Sequence, residues 1–265
     1  MTRPHRRTPC HAKASRRAVS SCLHEKRVGA YAASSLLQQE NILNTAHTLA
    51  SPPRLEFWFE FGSNYSYLAT MRIEELARRA GVALEWKPFL LGPIFRELGW
   101  SSSPFVLQAE KGNYVWRDME RQARKYGLPF NKPSAFPRAA VLPMRVAACS
   151  AGEPWIAEFC KNVMVQNWVN DLDINEVLNV RHALEALVPE PDIVIRQATS
   201  EENKARLRRN TEIARARGIF GAPTFLVGDE MFWGNDRLEE AIAMAASAQG
   251  NFLEVRTMLL SQVGQ

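Results

Sequence analysis

The sequence contains four cysteines in 265 residues, and none of them belongs to a C-x-x-C pair. Dithiol redox enzymes depend on such a pair, so we do not expect their chemistry here. No group of cysteines and histidines has the spacing of zinc ligands, and we therefore expect no metal. Cysteines this sparse are typical of a reducing compartment, which predicts a cytoplasmic location.

Two other absences limit the function. No run of about 18 apolar residues occurs, so no segment is expected to span a membrane. The net charge of +5 comes from residues 1–53, which hold eight Lys or Arg and two acidic residues, while the rest of the chain carries a net charge of −1. Phosphate binding needs cations clustered on a folded surface, so nucleic acid is not an expected partner.

Residues 1–53 differ in composition from everything that follows. They are rich in Arg, Ser and Ala, poor in acids, and end at Ser51-Pro52-Pro53. They lack the continuous apolar segment of a secretory signal. We expect a disordered basic extension, or residues added by a wrongly chosen upstream start codon. An organelle-targeting peptide is the alternative.

Secondary structure is first predicted immediately after this extension. Residues 55–61 alternate apolar and polar or aromatic side chains with a period of two, which predicts a strand. Residues 62–64 form a turn with a residue suited to cap a helix, and a helix is predicted from Tyr65 to Ala80. A glycine ends that helix, and residues 82–89 predict a second strand, parallel to the first.

The middle of the chain, about residues 92–218, is predicted to be mainly helical. Residues 223–227 and 230–233 then flank a Gly-Asp turn as a hairpin, and a last helix is predicted over residues 237–248. Two sheet-forming parts on either side of a helical block imply one mixed sheet, an α/β fold. We assign residues 54–91 and 205–250 to the sheet domain and 92–204 to a helical insertion. The predicted helices of the middle are Tyr114–Tyr126, Ala139–Ser150, Pro154–Trp168, Ile174–Leu187 and Ser200–Arg217.

Three short motifs place polar side chains or free backbone groups where predicted strands and helices meet, and these are the candidate binding residues. The first helix starts with Ser63-Asn64-Tyr65-Ser66, the place and spacing at which thioredoxin-like redox enzymes carry C-x-x-C. A serine there excludes dithiol cycling, but its hydroxyl can donate a hydrogen bond to a bound thiolate, which the helix N-terminus also favours. The alternative is that Ser63 only caps the helix.

The other two motifs lie near the end of the chain. A cis bond before Pro223 would turn the N–H and C=O of Ala222 outward to pair with an extended peptide, whereas a trans proline that starts an edge strand is the alternative. Residues 233–237 begin the last helix. There Asp236 is suited to receive an ammonium group, or simply to cap the helix.

The order and separation of these motifs resemble the 2-hydroxychromene-2-carboxylate isomerase family, a relative of kappa-class glutathione transferases and DsbA-type oxidoreductases. The matching stretches are residues 59–69, 220–225 and 231–238, and residues 88–95 and 111–121 are similar to bacterial members. The resemblance covers about residues 55–248. It implies a thioredoxin-like mixed sheet with a large all-helical insertion.

The resemblance also implies glutathione as a bound cofactor that is not consumed, and a homodimer. By position, Ser63 would hold the glutathione thiolate, and Ala222, before Pro223, would pair with the cysteinyl backbone. In the family reaction the thiolate adds to 2-hydroxychromene-2-carboxylate, permits rotation about a carbon–carbon bond and leaves, giving trans-o-hydroxybenzylidenepyruvate. The residues implied for the γ-glutamyl end are Trp233, Gly234, Asn235 and Asp236.

Two rival functions stay open. A kappa-like glutathione transferase or peroxidase uses the same site and consumes the thiol, and a non-catalytic relative would bind an extended peptide at Pro223. Three departures from the usual family pattern leave the substrate open. Asn64 stands where relatives carry proline, Glu60 where they carry aspartate, and Ala139 where many bacterial relatives carry asparagine.

A carboxylate substrate requires a cation nearby, since Arg and Lys supply charge-assisted hydrogen bonds. The candidates placed near the motifs are Lys87, Arg117 and Arg138, with a solvated surface role as the alternative. His182 is interpreted as structural. Five aromatic residues are candidates either for an apolar substrate slot or for the core: Phe89, Phe95, Trp100, Tyr114 and Trp116.

Overall fold

The computed structural model describes residues 53–247. The predicted extension lies outside these residues except for Pro53, as does the last residue predicted for the final helix. Four strands form one mixed sheet in the order β2-β1-β3-β4. The strands are β1 Arg54–Phe59, β2 Ala83–Pro88, β3 Thr224–Val227 and β4 Glu230–Trp233.

The pairing of the strands confirms the predicted sheet. β1 pairs parallel to β2, with Arg54 opposite Ala83, and antiparallel to β3, with Phe57 opposite Phe225. β3 and β4 form the predicted antiparallel hairpin. Its turn has Gly228 at a φ of 61°, a conformation that glycine adopts without steric cost.

Ten α-helices lie in the described residues. Three of them were not predicted, at Leu91–Glu97, Pro104–Leu107 and Pro191–Ala198, because helices of eight residues or fewer show little helical periodicity. The helices are α1 Asn64–Arg79, α2 Leu91–Glu97, α3 Pro104–Leu107, α4 Ala109–Lys125, α5 Val141–Cys149, α6 Ile156–Trp168, α7 Val177–Leu184, α8 Pro191–Ala198, α9 Glu201–Ala216 and α10 Leu238–Ser247. In the part of the chain described, no helix is long and apolar enough to cross a membrane.

The alternation along β1 separates two cores. Phe57 and Phe59 are fully buried in the larger core, which also contains Leu68 and Ile73 of α1. Trp58, between the two phenylalanines, faces the other side of the sheet and joins a smaller core with Ala214 of α9. The sheet is therefore covered by helices on both faces, in a thioredoxin-like arrangement with a helical insertion, as the resemblance implied.

The predicted first strand continued to Phe61, but the ladder ends at Phe59. Phe61 is fully buried, and its carbonyl oxygen accepts hydrogen bonds from the side chains of Asn167 and Trp168, both at 3.1 Å. Since these side chains belong to α6, the insertion holds the segment that connects β1 to α1. The end of β1 is set by long-range contacts that sequence periodicity does not report.

Candidate functional site

Ser63 is the N-cap of α1. Its Oγ accepts a hydrogen bond from the N–H of Ser66 at 3.2 Å, so the capping interpretation is confirmed. The same hydroxyl donates its proton to the carbonyl oxygen of Ala222 at 2.8 Å. A hydroxyl has one proton to donate, and Ser63 therefore joins the start of α1 directly to the residue before Pro223.

The first turn of α1 keeps two backbone donors free. The first N–H groups of a helix have no acceptor within the helix, and Ser63 takes only that of Ser66. Within residues 53–247, the N–H groups of Asn64 and Tyr65 reach no protein acceptor. Together with the helix dipole they favour an anion at this point, and a thiolate is such an anion.

Ala222 contributes a third free donor. The bond between Ala222 and Pro223 is cis, so the alternative of a trans proline is wrong. The carbonyl of Pro223 accepts from the N–H of Gly234 at 3.0 Å, which fixes this segment to the end of β4. The N–H of Ala222 reaches no acceptor among the described residues, and it can pair with an extended ligand backbone.

The indole of Trp233 lies against Gly221. A Cβ at Gly221 would overlap the indole Nε1, so any larger residue there would displace the Trp233 side chain. Trp233 also contacts Phe220, with ring centroids 4.8 Å apart, and both aromatic side chains are about half exposed. The two rings form an aromatic surface beside the free N–H of Ala222.

Asn235 and Asp236 differ in what they contact. Asn235 is buried, and its Oδ1 accepts from Nη2 of Arg72 at 2.7 Å. The Asp236 side chain is 72% exposed, and among the described residues its one ion pair is with the neighbouring Arg237, at 3.5 Å. Asn235 therefore fixes the start of the last helix, and Asp236 is the side chain of this pair that a ligand can reach.

Arg72 is the residue that holds Asn235, and the sequence did not single it out. Its Nε donates to the carbonyl of Leu68, a further guanidinium nitrogen pairs with Glu239, and the guanidinium lies 3.7 Å from the ring centroid of Tyr126. Arg72 thus connects α1, α4 and the region of α10. Its partners are far apart in the chain, which is why no local pattern predicted it.

Two of the predicted cations do not lie beside Ser63 as free groups. Lys87 is on the face of the sheet opposite α1, next to Trp58, and pairs with Glu85 at 2.9 Å. Arg117 is exposed on α4 and forms no ion pair with any described residue. Its neighbour Asp118, about 100° around the helix, is the residue of this pair that contacts α1, through Tyr65.

The third predicted cation, Arg138, holds the insertion against the site. Its guanidinium pairs with Asp171 at 2.6 Å and donates to Asn167 at 3.1 Å, and Asn167 in turn binds the carbonyl of Phe61. Its hydrogen bond lowers the pKa of Asp171 to about 2. The backbone carbonyl of Arg138 would lie 3.3 Å from a Cβ at Gly62. The positive charge of Arg138 is therefore paired with groups of the protein itself.

Two acidic side chains that the sequence did not assign lie close to the helix start. Asp118 accepts a hydrogen bond from the Tyr65 hydroxyl at 2.8 Å. Glu60 accepts one from the N–H of Leu91 at 3.3 Å, and its backbone carbonyl accepts from the N–H of Ser63 at 3.1 Å. Burial raises the pKa of Glu60 to about 7. Two acidic side chains therefore lie near the helix start, and both are held by hydrogen bonds within the protein.

The aromatic candidates divide between core and surface. Phe89 is fully buried, with its ring centroid 6.0 Å from that of Trp58, so it belongs to the core. Phe95 packs on Trp100, and Trp116 packs on Phe136.

Among residues 53–247, no three His, Cys, Asp or Glu side chains are grouped so that they could hold a metal ion.

Comparison with known proteins agrees with this geometry. The family model of the DSBA-like thioredoxin domain matches residues 54–243. The chain is 30% identical over 196 residues to a 2-hydroxychromene-2-carboxylate isomerase of Sphingobium xenophagum, covering 70% of this chain and 94% of the relative. It is 25% identical to glutathione S-transferase kappa 1 of Rattus norvegicus, over 71% of this chain and 89% of that protein.

A solved structure gives the same result. A 2-hydroxychromene-2-carboxylate isomerase superimposes with a TM-score of 0.66 at 26% identity, covering 78% of this chain and 98% of that one. The sequence match and the structural match both span nearly the whole length of the relatives. The chain therefore belongs to the DSBA-like thioredoxin family and is related within it to the 2-hydroxychromene-2-carboxylate isomerases and the kappa-class glutathione transferases.

Proposed function

We propose that this protein is a glutathione-dependent isomerase of an aromatic-catabolism acid, of the type that converts 2-hydroxychromene-2-carboxylate to trans-o-hydroxybenzylidenepyruvate. The observation that carries the proposal is the 2.8 Å hydrogen bond from Ser63 to Ala222, which brings the helix start and the free N–H of Ala222 to one place. The named activity of the 30% identical relative supports it. We further propose a cytoplasmic homodimer.

The residues present fit glutathione. The free N–H groups of Asn64 and Tyr65 suit a thiolate, the N–H of Ala222 suits a cysteinyl carbonyl, and exposed Asp236 suits an ammonium group. Bound glutathione supplies a nucleophilic sulfur that adds reversibly to an unsaturated substrate. Trp233 lies beside these groups and would cover the γ-glutamyl end.

The chain's own contribution is to hold negative charge and to orient. Donors fixed before reaction stabilise a charge without reorganising, because the helix start and Ser63 are held by the core. Since the Ser63 hydroxyl donates to Ala222 in this structure, it becomes a donor to sulfur when that carbonyl accepts an N–H of the ligand instead. Ser63 then acts as a hydrogen-bond donor and forms no covalent bond.

One observation favours a second candidate, a kappa-like glutathione transferase that acts on an uncharged electrophile. The three predicted cations do not converge on Ser63. Lys87 and Arg138 are paired within the protein, and Arg117 is exposed on α4. An uncharged electrophile has no carboxylate to bind and needs none of them.

The experiment that tests the proposal follows the absorbance of 2-hydroxychromene-2-carboxylate with purified protein, with and without glutathione, while total thiol is measured. Fast conversion that requires glutathione and leaves the thiol concentration constant supports the isomerase. Loss of thiol with chlorodinitrobenzene or a hydroperoxide, without conversion of the chromene, supports the transferase instead. Full conversion without glutathione contradicts both.

A further inference from the structure

The Tyr65 side chain belongs to the first turn of α1, two residues after Ser63. Its hydroxyl donates a 2.8 Å hydrogen bond to Oδ2 of Asp118 in α4. Oδ1 of Asp118 accepts from Arg121 at 3.2 Å and from Gln122 at 3.5 Å. With 14% of its side chain exposed, Asp118 is a carboxylate largely enclosed between two helices at the edge of the proposed site.

The pair of Tyr65 and Asp118 is rich in hydrogen-bond acceptors. The single phenolic proton is used on Asp118, so the Tyr65 oxygen keeps its lone pairs. Burial is the largest cause that raises the pKa of Tyr65, and Asp118 and Asp236 raise it further, so the phenol stays protonated at neutral pH. Such a pair can accept a hydrogen bond from a hydroxyl group.

An aromatic surface borders this pair. The ring of Phe105 meets the ring of Tyr65 edge-on, with centroids 6.4 Å apart. Gly112 makes this possible, because a Cβ at that position of α4 would overlap the carbonyl oxygen of Phe105. Tyr114, one turn before Asp118, is 61% exposed. A flat ring that enters beside Ser63 therefore meets aromatic side chains next to an acceptor.

We propose that Tyr65 and Asp118 determine substrate specificity by accepting a hydrogen bond from the phenolic hydroxyl on the aromatic ring of the open-chain enone. The inference rests on the proposed function, because a thiolate at Ser63 defines where the reacting carbon lies. It also sets an orientation. The hydroxylated ring lies toward Asp118, and the carboxylate of an acid substrate points away from it.

The test compares trans-o-hydroxybenzylidenepyruvate with its o-methoxy analogue, which has no proton to donate. The o-methoxy compound has no phenol with which to close to the chromene, so affinities are compared instead of turnover. Titration of the protein loaded with S-methylglutathione, which has no reactive thiol, gives the affinity for each compound, and their quotient is the hydroxy-to-methoxy ratio. We expect Tyr65→Phe to lower the hydroxy-to-methoxy ratio about 10-fold or more, since a lost hydrogen bond between a ligand and a charge-assisted pair has that size. The Kd for the methoxy compound and the Kd for glutathione should each change less than about threefold.

Two further variants separate specificity from stability. Tyr67→Phe is the matched control, because Tyr67 lies in the same helix and its hydroxyl also donates to a partner, the carbonyl of Pro129. That variant should keep the wild-type ratio. Asp118→Asn retains an acceptor for the Tyr65 hydroxyl but removes the charge, and it should lower the ratio even where Tyr65→Phe is too unstable to assay.

The outcomes distinguish the inference from the function on which it rests. A wild-type ratio in both Tyr65→Phe and Asp118→Asn, with normal glutathione-dependent turnover, overturns the specificity role and leaves the proposed function intact. An equal drop in Tyr67→Phe overturns it too, since the effect is then one of packing. Absence of glutathione binding in the wild type overturns the proposed function and the inference together.

Discussion

The hydroxyl of Ser63 and the carbonyl oxygen of Ala222 are joined by a 2.8 Å hydrogen bond across 159 residues of sequence. The bond connects the helix that follows β1 with the segment that begins β3, so both halves of the sheet domain meet at this atom pair. The same hydroxyl caps α1. Ser63 therefore has a structural role and a proposed catalytic role, which substitution must separate.

Ser63→Ala removes the cap, the bond to Ala222 and the proposed donor to sulfur. We expect turnover to fall by about 10²- to 10³-fold, as for loss of a donor to a developing charge, and the Kd for glutathione to rise much less. Stability should fall by about 1 kcal/mol from the lost cap. Steady-state kinetics, calorimetry and urea unfolding measure the three quantities.

The matched control is Ser200→Ala, because Ser200 caps α9 in the same way, by accepting from the N–H of Asn203. It should lose similar stability without loss of turnover. Equal kinetics in Ser63→Ala and the wild type would refute the catalytic role. Equal losses of turnover in both variants would show that capping alone matters.

Asp236→Asn should weaken glutathione binding and leave kcat nearly unchanged. The amide keeps the size of the side chain but loses the charge that would pair with the γ-glutamyl ammonium, which predicts about a 10-fold higher Kd. Titration calorimetry measures this. Asp229→Asn, at the exposed hairpin turn, is the control and should bind as the wild type does. An unchanged Kd in Asp236→Asn would contradict the assignment.

Gly221→Ala should displace the Trp233 indole, because the added Cβ overlaps Nε1. We expect a change in tryptophan fluorescence and weaker glutathione binding, with little loss of stability, because the indole is half exposed and can move. Gly152→Ala is the control, since nothing lies within 4 Å of a Cβ there and its φ is not positive. If Gly221→Ala bound glutathione like the wild type, Trp233 would have no part in the site.

The local parts of the fold were predictable because each depends on neighbouring residues. Period-two alternation predicted β1, and a capping serine before a helical stretch predicted α1. The hairpin followed from a two-residue turn between apolar runs. These signals placed Ser63, Pro223 and Asp236 at the ends of elements, where the structure has them.

The long-range pairs were not predictable from one sequence. Arg72 binds Asn235 across 163 residues, and Tyr65 binds Asp118 across 53. Such pairs depend on how helices pack, and a single residue carries no periodic signal of its partner. For the same reason Arg138 was predicted to bind the substrate's carboxylate, whereas in the structure its guanidinium is paired with Asp171.

Glu60 should make the stability of the protein depend on pH in an unusual direction. Burial raises its pKa from 4.5 to about 7 in the folded protein. Between those pH values the native state holds a proton that the unfolded state has lost, so the free energy of unfolding falls as pH rises through this window. Below pH 4.5 the carboxyl is protonated in both states and costs nothing. Above pH 7 the full cost of burying its charge, on the order of 3 kcal/mol, is present.

Glu60→Gln tests this directly, because glutamine keeps an oxygen for the N–H of Leu91 but carries no charge. The variant should match the wild type near pH 4.5 and exceed it in free energy of unfolding by about 3 kcal/mol at pH 8. Urea unfolding across this range measures the difference. Glu153→Gln is the control, since Glu153 is exposed and forms no ion pair with any described residue, and its curve should parallel the wild type. If Glu60→Gln also paralleled the wild type, the Glu60 carboxyl would titrate near its ordinary value, and the enclosed turn between β1 and Ser63 would be open to water.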